Sequence, residues 1–163
     1  MRRFFVLIAA AATMLAIYAG ALTIAGGQRS RGSSGPRRDA RIASAVRAVL
    51  DAQVAAWNRG DIDAFMDGYR RGPDTTFVSG GTVTRGWQTV LDRYKKSYDS
   101  REKMGTLTFS EIEIKPLDRE TVIAVGRWQL ARASDMPNGR FTLIFRRTPE
   151  GWRIVHDHTS SAT

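Results

Sequence analysis

The sequence predicts an α+β fold: a cone-shaped barrel in which a strongly curved, mainly antiparallel sheet wraps around three N-terminal helices. Two observations carry this prediction. Apolar residues recur at helical spacing between residues 39 and 98, and from Thr106 to Thr159 the pattern changes to the alternation that is typical of strands. Turn residues separate the later segments, so the long strands follow one another as a meander. The interior of such a cone would be apolar with a few polar groups, the usual form of a small-molecule site.

The N-terminal segment has the pattern of an export signal. Residues 4–27 carry no charge and follow Met1-Arg2-Arg3. Small residues would allow cleavage after Ala21 or near Ala25, but the apolar run is also long enough to remain as a membrane anchor. We therefore predict a signal peptide or signal anchor at 1–27, a flexible basic linker at 28–38 that is rich in Ser, Gly and Arg, and a folded domain at 39–163. The domain would be periplasmic, extracellular or membrane-anchored through residues 4–27 alone.

The positive charge of the chain is concentrated before the domain. The net charge is +9, but residues 1–38 contain six of the 25 basic residues and no acidic residue, which leaves 19 basic and 16 acidic residues in the remainder. A body with that balance does not present a phosphate-neutralising surface, so we predict no nucleic-acid partner. The chain has no cysteine, which excludes disulfides, thiol catalysis and cysteine-ligated zinc.

Capping and breaking residues divide the first half of the domain into three helices. Asp39 is the predicted N-cap of the first helix, and Gly60 ends it. Asp61 can cap a short second helix that Gly72-Pro73-Asp74 interrupts. Gly86 precedes a third helix, whose predicted apolar face contains Trp87, Val90, Leu91, Tyr94 and Tyr98, and whose predicted solvent face contains Asp92, Arg93, Lys95, Lys96 and Asp99.

The predicted strands begin with a hairpin between the second and third helices. Longer strands follow from Thr106, where Leu107 and Phe109 are out of phase with Ile112 and Ile114. One additional residue near Ser110-Glu111 would correct the phase, which predicts a β-bulge and a bent strand. The remaining predicted strands are Thr75–Ser79, Thr82–Thr84, Thr121–Ala131, Phe141–Arg147 and Trp152–Thr159.

Three groups of residues resemble the nuclear-transport-factor-2-like, or SnoaL-like, superfamily. They are Trp57-Asn58-Arg59-Gly60-Asp61 with Phe65 and Tyr69; Gly81 with Gly86; and Gly126-Arg127-Trp128 with Gly139-Arg140-Phe141-Thr142-Leu143 and Gly151 to Ser160. Together they look like the SgcJ/EcaC-type branch and are similar to the association domain of calcium/calmodulin-dependent kinase II. The resemblance implies a pocket between sheet and helices and a homodimer, but it implies no single activity, because relatives include isomerases, dehydratases, cyclases, hydrolases and assembly modules.

The only two histidines, His156 and His158, lie two apart in the last predicted strand. Strict alternation would place both on the same face as Trp152 and Ile154, with Asp157 on the other face. They are candidates for a general acid or base. Two metal ligands are a weaker alternative, because a third would have to be a carboxylate or water. The alternative to catalysis and to metal binding is that the two histidines form structural hydrogen bonds to neighbouring strands or to a partner subunit. We predict no metal and no cofactor.

The predicted pocket combines one arginine with aromatic side chains. An arginine in an apolar strand is costly unless it is paired, and in the kinase association domain a matching arginine faces the pocket. By this resemblance Arg127 would bind a carboxylate or phosphate, so the ligand could be an anionic organic molecule; a salt bridge to Asp63 or Asp67 is the alternative. The other predicted pocket residues lie on inward faces or near the rim, although core packing explains several of them equally well: Trp57, Tyr69, Phe77, Trp87, Tyr94 and Trp128.

These features leave three functions open. The first is an exported small-molecule-binding and dimerisation domain. The second is a cofactor-free isomerase, dehydratase or hydrolase that uses His156 or His158. The third is a structural oligomerisation domain. By resemblance, steroid isomerases of the superfamily place a base at the end of the strand that here ends Phe77-Val78-Ser79-Gly80, and no acid lies there.

Overall fold

The computed structural model describes residues 34–162, and within them it confirms the α+β prediction. Helices occupy the N-terminal half, and a six-stranded sheet occupies most of the C-terminal half. The helices are α1 (Ser34–Arg59), α2 (Ile62–Met66), α3 (Trp87–Ser97) and α4 (Arg101–Met104). The strands are β1 (Thr76–Ser79), β2 (Thr82–Arg85), β3 (Thr106–Pro116), β4 (Thr121–Ala131), β5 (Asn138–Thr148) and β6 (Gly151–Thr159).

The sheet has the order β2-β1-β6-β5-β4-β3 and is unclosed. All neighbouring strands are antiparallel except β1 and β6, which are parallel. The segment after α2 also joins β6, because the Arg70 amide donates to the Ile154 carbonyl and the Ile154 amide donates to the Gly68 carbonyl, both at 2.8 Å. This pairing brings Tyr69 beside the strand that carries Asp157.

The core lies between the helices and the inner face of the curved sheet. Its helical side includes Val46 and Leu50 of α1 and Val90 of α3, and its sheet side includes Val122 and Phe145, all fully buried. Apolar residues at helical spacing on one side and at alternate positions on the other therefore meet as the sequence predicts.

Capping explains where the first helices end and begin. Gly60 adopts φ 83°, the left-handed conformation that glycine tolerates best, and so ends α1. The Asp61 carboxylate then accepts a hydrogen bond from the Ala64 amide at 2.9 Å and caps α2. Both predictions are confirmed.

Two β-bulges bend the sheet. The predicted one lies in β3, where the register with β4 shifts between Ser110 and Glu113, and Glu111 adopts φ 50°. A second bulge, which the sequence analysis did not predict, lies in β6: Ile154 pairs with Phe145 and His156 pairs with Ile144, which leaves Val155 as the additional residue. The side chains of β6 after Val155 therefore lie on the face opposite to the one that strict alternation predicts.

Other boundaries differ from the prediction. Helix α1 begins at Ser34, so Asp39 lies inside the helix and is not its N-cap, and residues 34–38 of the predicted linker are helical. Helix α4 was not predicted.

The predicted signal peptide or anchor at 1–27 and the linker up to residue 33 lie outside the described residues. Among the helices of residues 34–162, none combines the length and apolar character that a membrane span requires.

Candidate functional site

A cavity of about 170 Å³ lies between the inner face of the sheet and the helices. Its lining residues come from α1, α2, α3 and all the strands except β2, together with the segments after α2, α3 and β6, and nine of them are aromatic. The aromatic residues are Trp57, Phe65, Tyr69, Phe77, Tyr94, Tyr98, Phe109, Trp128 and Phe141. The polar residues are Gln53, Ser79, Arg93, Ser97, Asp157, Thr159 and Ser161.

Asp157 is the buried acid of this cavity. Its carboxylate is 4% exposed and accepts two hydrogen bonds, from the Tyr69 hydroxyl to Oδ2 and from the Thr159 hydroxyl to Oδ1, both at 2.7 Å. In the sheet it lies beside Phe77 of β1, the strand on which no acid is found. The cavity therefore does contain a carboxylate, but the neighbouring strand supplies it.

Burial sets the protonation behaviour of this group. Loss of hydration raises the pKa of Asp157 from 3.8 to about 6, and the hydrogen bonds from Thr159 and Tyr69 oppose that rise. The pKa of the Tyr69 hydroxyl is raised well above 10 by burial, by the Asp157 charge and by the neighbouring Tyr94. Burial, with the Asp157 charge, likewise raises the pKa of Tyr94. Near neutral pH both phenols are therefore protonated, while Asp157 can exchange a proton.

Aromatic contacts hold the helical wall of the cavity in place. The Trp57 indole donates to the Met104 carbonyl at 3.1 Å and packs edge-on against Phe65 and Tyr98 at ring separations of 5.2 and 4.7 Å. Tyr94 lies 5.6 Å from the Phe77 ring. The predicted residues that do line the cavity are Trp57, Tyr69, Phe77, Tyr94 and Trp128.

Arg93 is a lining residue that the sequence analysis placed on the solvent face of α3. It is half-buried, its guanidinium donates to the Thr84 hydroxyl at 2.9 Å, and it lies 4.9 Å above the Phe77 ring. Its position three residues after the buried Val90 was the available signal, because residues three apart share a helix face.

Two of the predicted pocket residues lie elsewhere. Trp87 is absent from the cavity lining; its indole donates to the Met66 carbonyl at 3.0 Å, and Arg71 covers its ring. Arg127 lies on the outer face of the sheet, where it donates to the Asn138 side chain at 2.8 Å and lies 3.9 Å from Glu111. The pocket prediction for Arg127 was therefore wrong, and so were Asp63 and Asp67 as partners, because they pair with Lys95 and Arg71.

The predicted orientation of the histidines was also wrong. Because Val155 is an additional residue, His156 and His158 follow Ile144 and Thr142 on the outer face, and neither lines the cavity. His156 is half-buried and His158 is exposed, whereas Asp157 is buried. The bulge thus places a carboxylate in the cavity where strict alternation would place imidazoles.

The residues after β6 run beside the mouth of the cavity. The Ser160 carbonyl accepts a hydrogen bond from the Trp128 indole at 2.9 Å, and the Ala162 amide donates to the Asn138 carbonyl at 2.8 Å. Gly139 makes this approach feasible, because a Cβ atom there would lie 1.9 Å from the Ser160 carbonyl oxygen. Within residues 34–162 no group of three or more histidine or carboxylate side chains is placed to hold a metal ion.

Comparisons with known proteins agree on the family. Residues 46–163 match the SnoaL-like domain, whereas no curated protein matches the chain. An NTF-2-like protein of unknown function from Shewanella oneidensis MR-1 is 41% identical, with a TM-score of 0.69 over 72% of this chain and 97% of that one.

More distant structures share the fold. A protein of unknown function from the DUF3225 family of Pectobacterium atrosepticum is 18% identical, with a TM-score of 0.63 over 77% of this chain and 94% of that one. A ketosteroid isomerase-like protein from Erwinia carotovora atroseptica is 16% identical, with a TM-score of 0.60 over 74% and 96%. The chain therefore belongs to the SnoaL-like domain family and has the NTF2-like fold.

Proposed function

We propose that this protein is a small-molecule-binding domain whose ligand occupies the cavity between the sheet and the helices. The main observation in support is that aromatic rings surround a buried carboxylate, Asp157, and leave about 170 Å³ of space beside it. A structural domain without a ligand would be expected to fill such a space with side chains, because protein interiors are close-packed.

The size and lining of the cavity limit the ligand to a small ring compound. An apolar cavity of about 150 Å³ is enough to bind benzene. Here the rings of Trp57, Phe65 and Phe77 supply apolar surface, and Asp157 and Tyr94 supply polar contacts that would orient a substituent. One substituted ring that extends towards the mouth therefore fits this space.

A pair of matched variants tests ligand binding. Ser79 lines the cavity, whereas Val78, its neighbour in β1, faces the outer side of the sheet with His158. Ser79→Trp should fill the cavity and abolish binding of the neutral probe p-cresol in isothermal titration calorimetry, while Val78→Trp should leave binding unchanged. Measurable and equal binding of p-cresol by both variants would contradict the proposal.

A cofactor-free enzyme is the second candidate, and the placement of Asp157 favours it. Its carboxylate can accept a proton near neutral pH, and the Tyr69 hydroxyl, which donates to the charged carboxylate, can donate instead to a developing negative charge once Asp157 is protonated. His156 and His158 cannot take this role, because they lie on the outer face. Exchange of the α-protons of acetophenone in D₂O, followed by NMR, should then be faster with the wild-type protein than with Asp157→Asn.

The proposal also includes a homodimer formed through the outer face of the sheet. Val125 of β4 is 37% exposed there, Ile123, Ile144 and Val155 are half-buried on β4, β5 and β6, and Val83 is 48% exposed on the edge strand β2. Burying these side chains against a second copy would remove apolar surface from water. Light scattering should report a dimer for the wild-type protein and for Gln88→Lys on the exposed side of α3, but a monomer for Val125→Lys.

The location of the protein remains part of the proposal. The uncharged residues 4–27 after a basic start support export, with or without cleavage. Mass spectrometry of the protein recovered from a host that exports it should give either a mature N-terminus near residue 22 or 26, or the full chain in the membrane fraction. Full-length protein in the cytosol would contradict both forms.

A further inference from the structure

Two side chains of opposite charge line the cavity without pairing. Asp157 accepts hydrogen bonds from two hydroxyls, and Arg93 donates to a third, that of Thr84. Within residues 34–162 neither Asp157 nor Arg93 forms an ion pair with any side chain.

The two charges occupy different depths. Asp157 is 4% exposed, in β6, and is surrounded by rings. Arg93 is half-buried on α3, and two contacts hold its guanidinium: the Thr84 hydroxyl and the face of Phe77. Both charges act on the Tyr94 hydroxyl: the Asp157 charge raises the pKa of Tyr94, and the Arg93 charge lowers it. The cavity is thus an apolar space with a buried hydrogen-bond acceptor and a less buried cationic donor.

A ligand that enters this space displaces water from both groups. A desolvated carboxylate or guanidinium is costly unless the ligand replaces the lost hydrogen bonds. An apolar ring alone replaces neither set. A simple anion could pair with Arg93 but would lie in the field of Asp157, and a simple cation would have the opposite conflict.

We infer that the ligand is a single-ring carboxylic acid that carries a hydroxyl or amino group at the opposite end of the ring. The hydroxyl or amino group donates to Asp157, the carboxylate accepts from Arg93 and the ring lies among the aromatic side chains. This inference rests on the proposed binding function and specifies the class of ligand. Arg93 forms the stronger of the two contacts, because a guanidinium can hold a carboxylate through two parallel hydrogen bonds.

Three probes that share a single benzene ring separate the contributions of the two end groups. They are 4-hydroxyphenylacetate, phenylacetate, which lacks the hydroxyl group, and p-cresol, which lacks the carboxylate. With the full-length protein at pH 8, calorimetry should give an affinity for 4-hydroxyphenylacetate about ten times that for either of the others, since a hydrogen bond to a charged group typically changes affinity by at least that factor.

Two variants assign each end of the ligand. Arg93→Gln should remove the advantage of 4-hydroxyphenylacetate over p-cresol. Asp157→Asn should reduce the advantage of 4-hydroxyphenylacetate over phenylacetate at least fivefold, because the charge of the acceptor is lost. Either advantage persisting unchanged in its variant would overturn the inference.

The outcomes distinguish the inference from the proposed function. If p-cresol binds but neither acid binds more tightly, the ligand class is wrong and the binding function stands. If none of the three probes binds, both are wrong. The ranking of the three probes on the wild-type protein decides the ligand class even where a variant fails to fold.

Discussion

The two β-bulges of the sheet use the same backbone device in different surroundings. In β3 the residues after the bulge on the inner face, Ile112 and Ile114, are apolar and pack against the core. In β6 the corresponding residues, Asp157 and Thr159, are polar and line the cavity. One bulge adjusts packing, whereas the other selects which polar groups meet a ligand.

The difference shows that the free-energy cost of a bulge depends on which side chains it turns towards the interior. A one-residue phase change exchanges every following side chain between faces. In β3 that exchange buries apolar surface and is favourable by itself. In β6 it buries a carboxylate, which is unfavourable unless hydroxyls such as those of Tyr69 and Thr159 replace its water.

The largest effect should come from the residue that precedes the β6 bulge. Ile154 is 1% exposed, so Ile154→Ala should lower the free energy of unfolding by about 2–5 kcal/mol in a urea titration. Ile114, after the β3 bulge, is only half-buried, and Ile114→Ala should cost less. Equal losses would mean that the difference in burial between Ile154 and Ile114 does not decide their contributions to stability.

The second effect is a pH dependence that only the β6 bulge should produce. Because burial raises the pKa of Asp157 from 3.8 to about 6, the folded state keeps a proton between about pH 4 and 6 that the unfolded state has released. The contribution of Asp157 to the free energy of unfolding therefore falls as pH rises through this window and levels off above it. Asp157→Asn lacks this group, so its stability relative to wild type should improve by about 2 kcal/mol between pH 4 and pH 7.

Chemical denaturation of both proteins at several pH values checks this prediction. All other acids are shared, so they cancel in the difference between wild type and variant. A difference that stays constant with pH would mean that Asp157 is not desolvated, and one that changes in the opposite direction would mean that a cation stabilises its charge.

The third effect isolates one hydroxyl that compensates for the β6 bulge. Tyr69→Phe removes the donor to Asp157 Oδ2 and should cost about 1–2 kcal/mol at pH 8, with a smaller loss at pH 4 where the carboxyl group is protonated. Tyr98→Phe is the matched control, because Asp157 accepts no hydrogen bond from Tyr98 in the described structure. The same loss at both pH values would show that packing alone explains the change.

The smallest effect tests the backbone of the β3 bulge. Glu111 adopts φ 50°, which costs about 1–2 kcal/mol for a residue with a side chain, and its carboxylate lies 2.6 Å from Arg140 at a half-exposed position. Glu111→Ala loses the ion pair, worth less than about 1 kcal/mol, and keeps the strain. Glu111→Gly relieves the strain and should therefore be about 1 kcal/mol more stable than Glu111→Ala in the same denaturation measurement.

The fold could be predicted from the sequence because its main signals are apolar. The β3 bulge was visible because apolar residues lie on both sides of it: Leu107 and Phe109 before, Ile112 and Ile114 after. Gly60 and Asp61 fixed the break between the first two helices. Helix α4 was missed because Arg101–Met104 is a single polar turn with no apolar repeat.

The candidate site was predicted less well, because a change of alternation among polar residues does not show in the apolar pattern. After Val155 the inner face carries Asp157 and Thr159, so hydropathy does not reveal the change of phase, and the histidines were assigned to the wrong face. Arg127 was misplaced for a different reason. Its apolar flanks suggested burial, but Glu111, turned towards it by the β3 bulge, and Asn138 satisfy it on the outer face.

The additional residue at Val155 also affects how relatives of this chain are aligned. A relative without the bulge would need a one-residue gap inside the last strand, whereas alignment by residue identity favours gaps in the turn at Pro149 to Gly151. A misplaced gap would match an imidazole of one protein to a carboxylate of another. Catalytic or binding residues in this strand should therefore be matched between relatives by their pairing with β5, and not by their column in a sequence alignment.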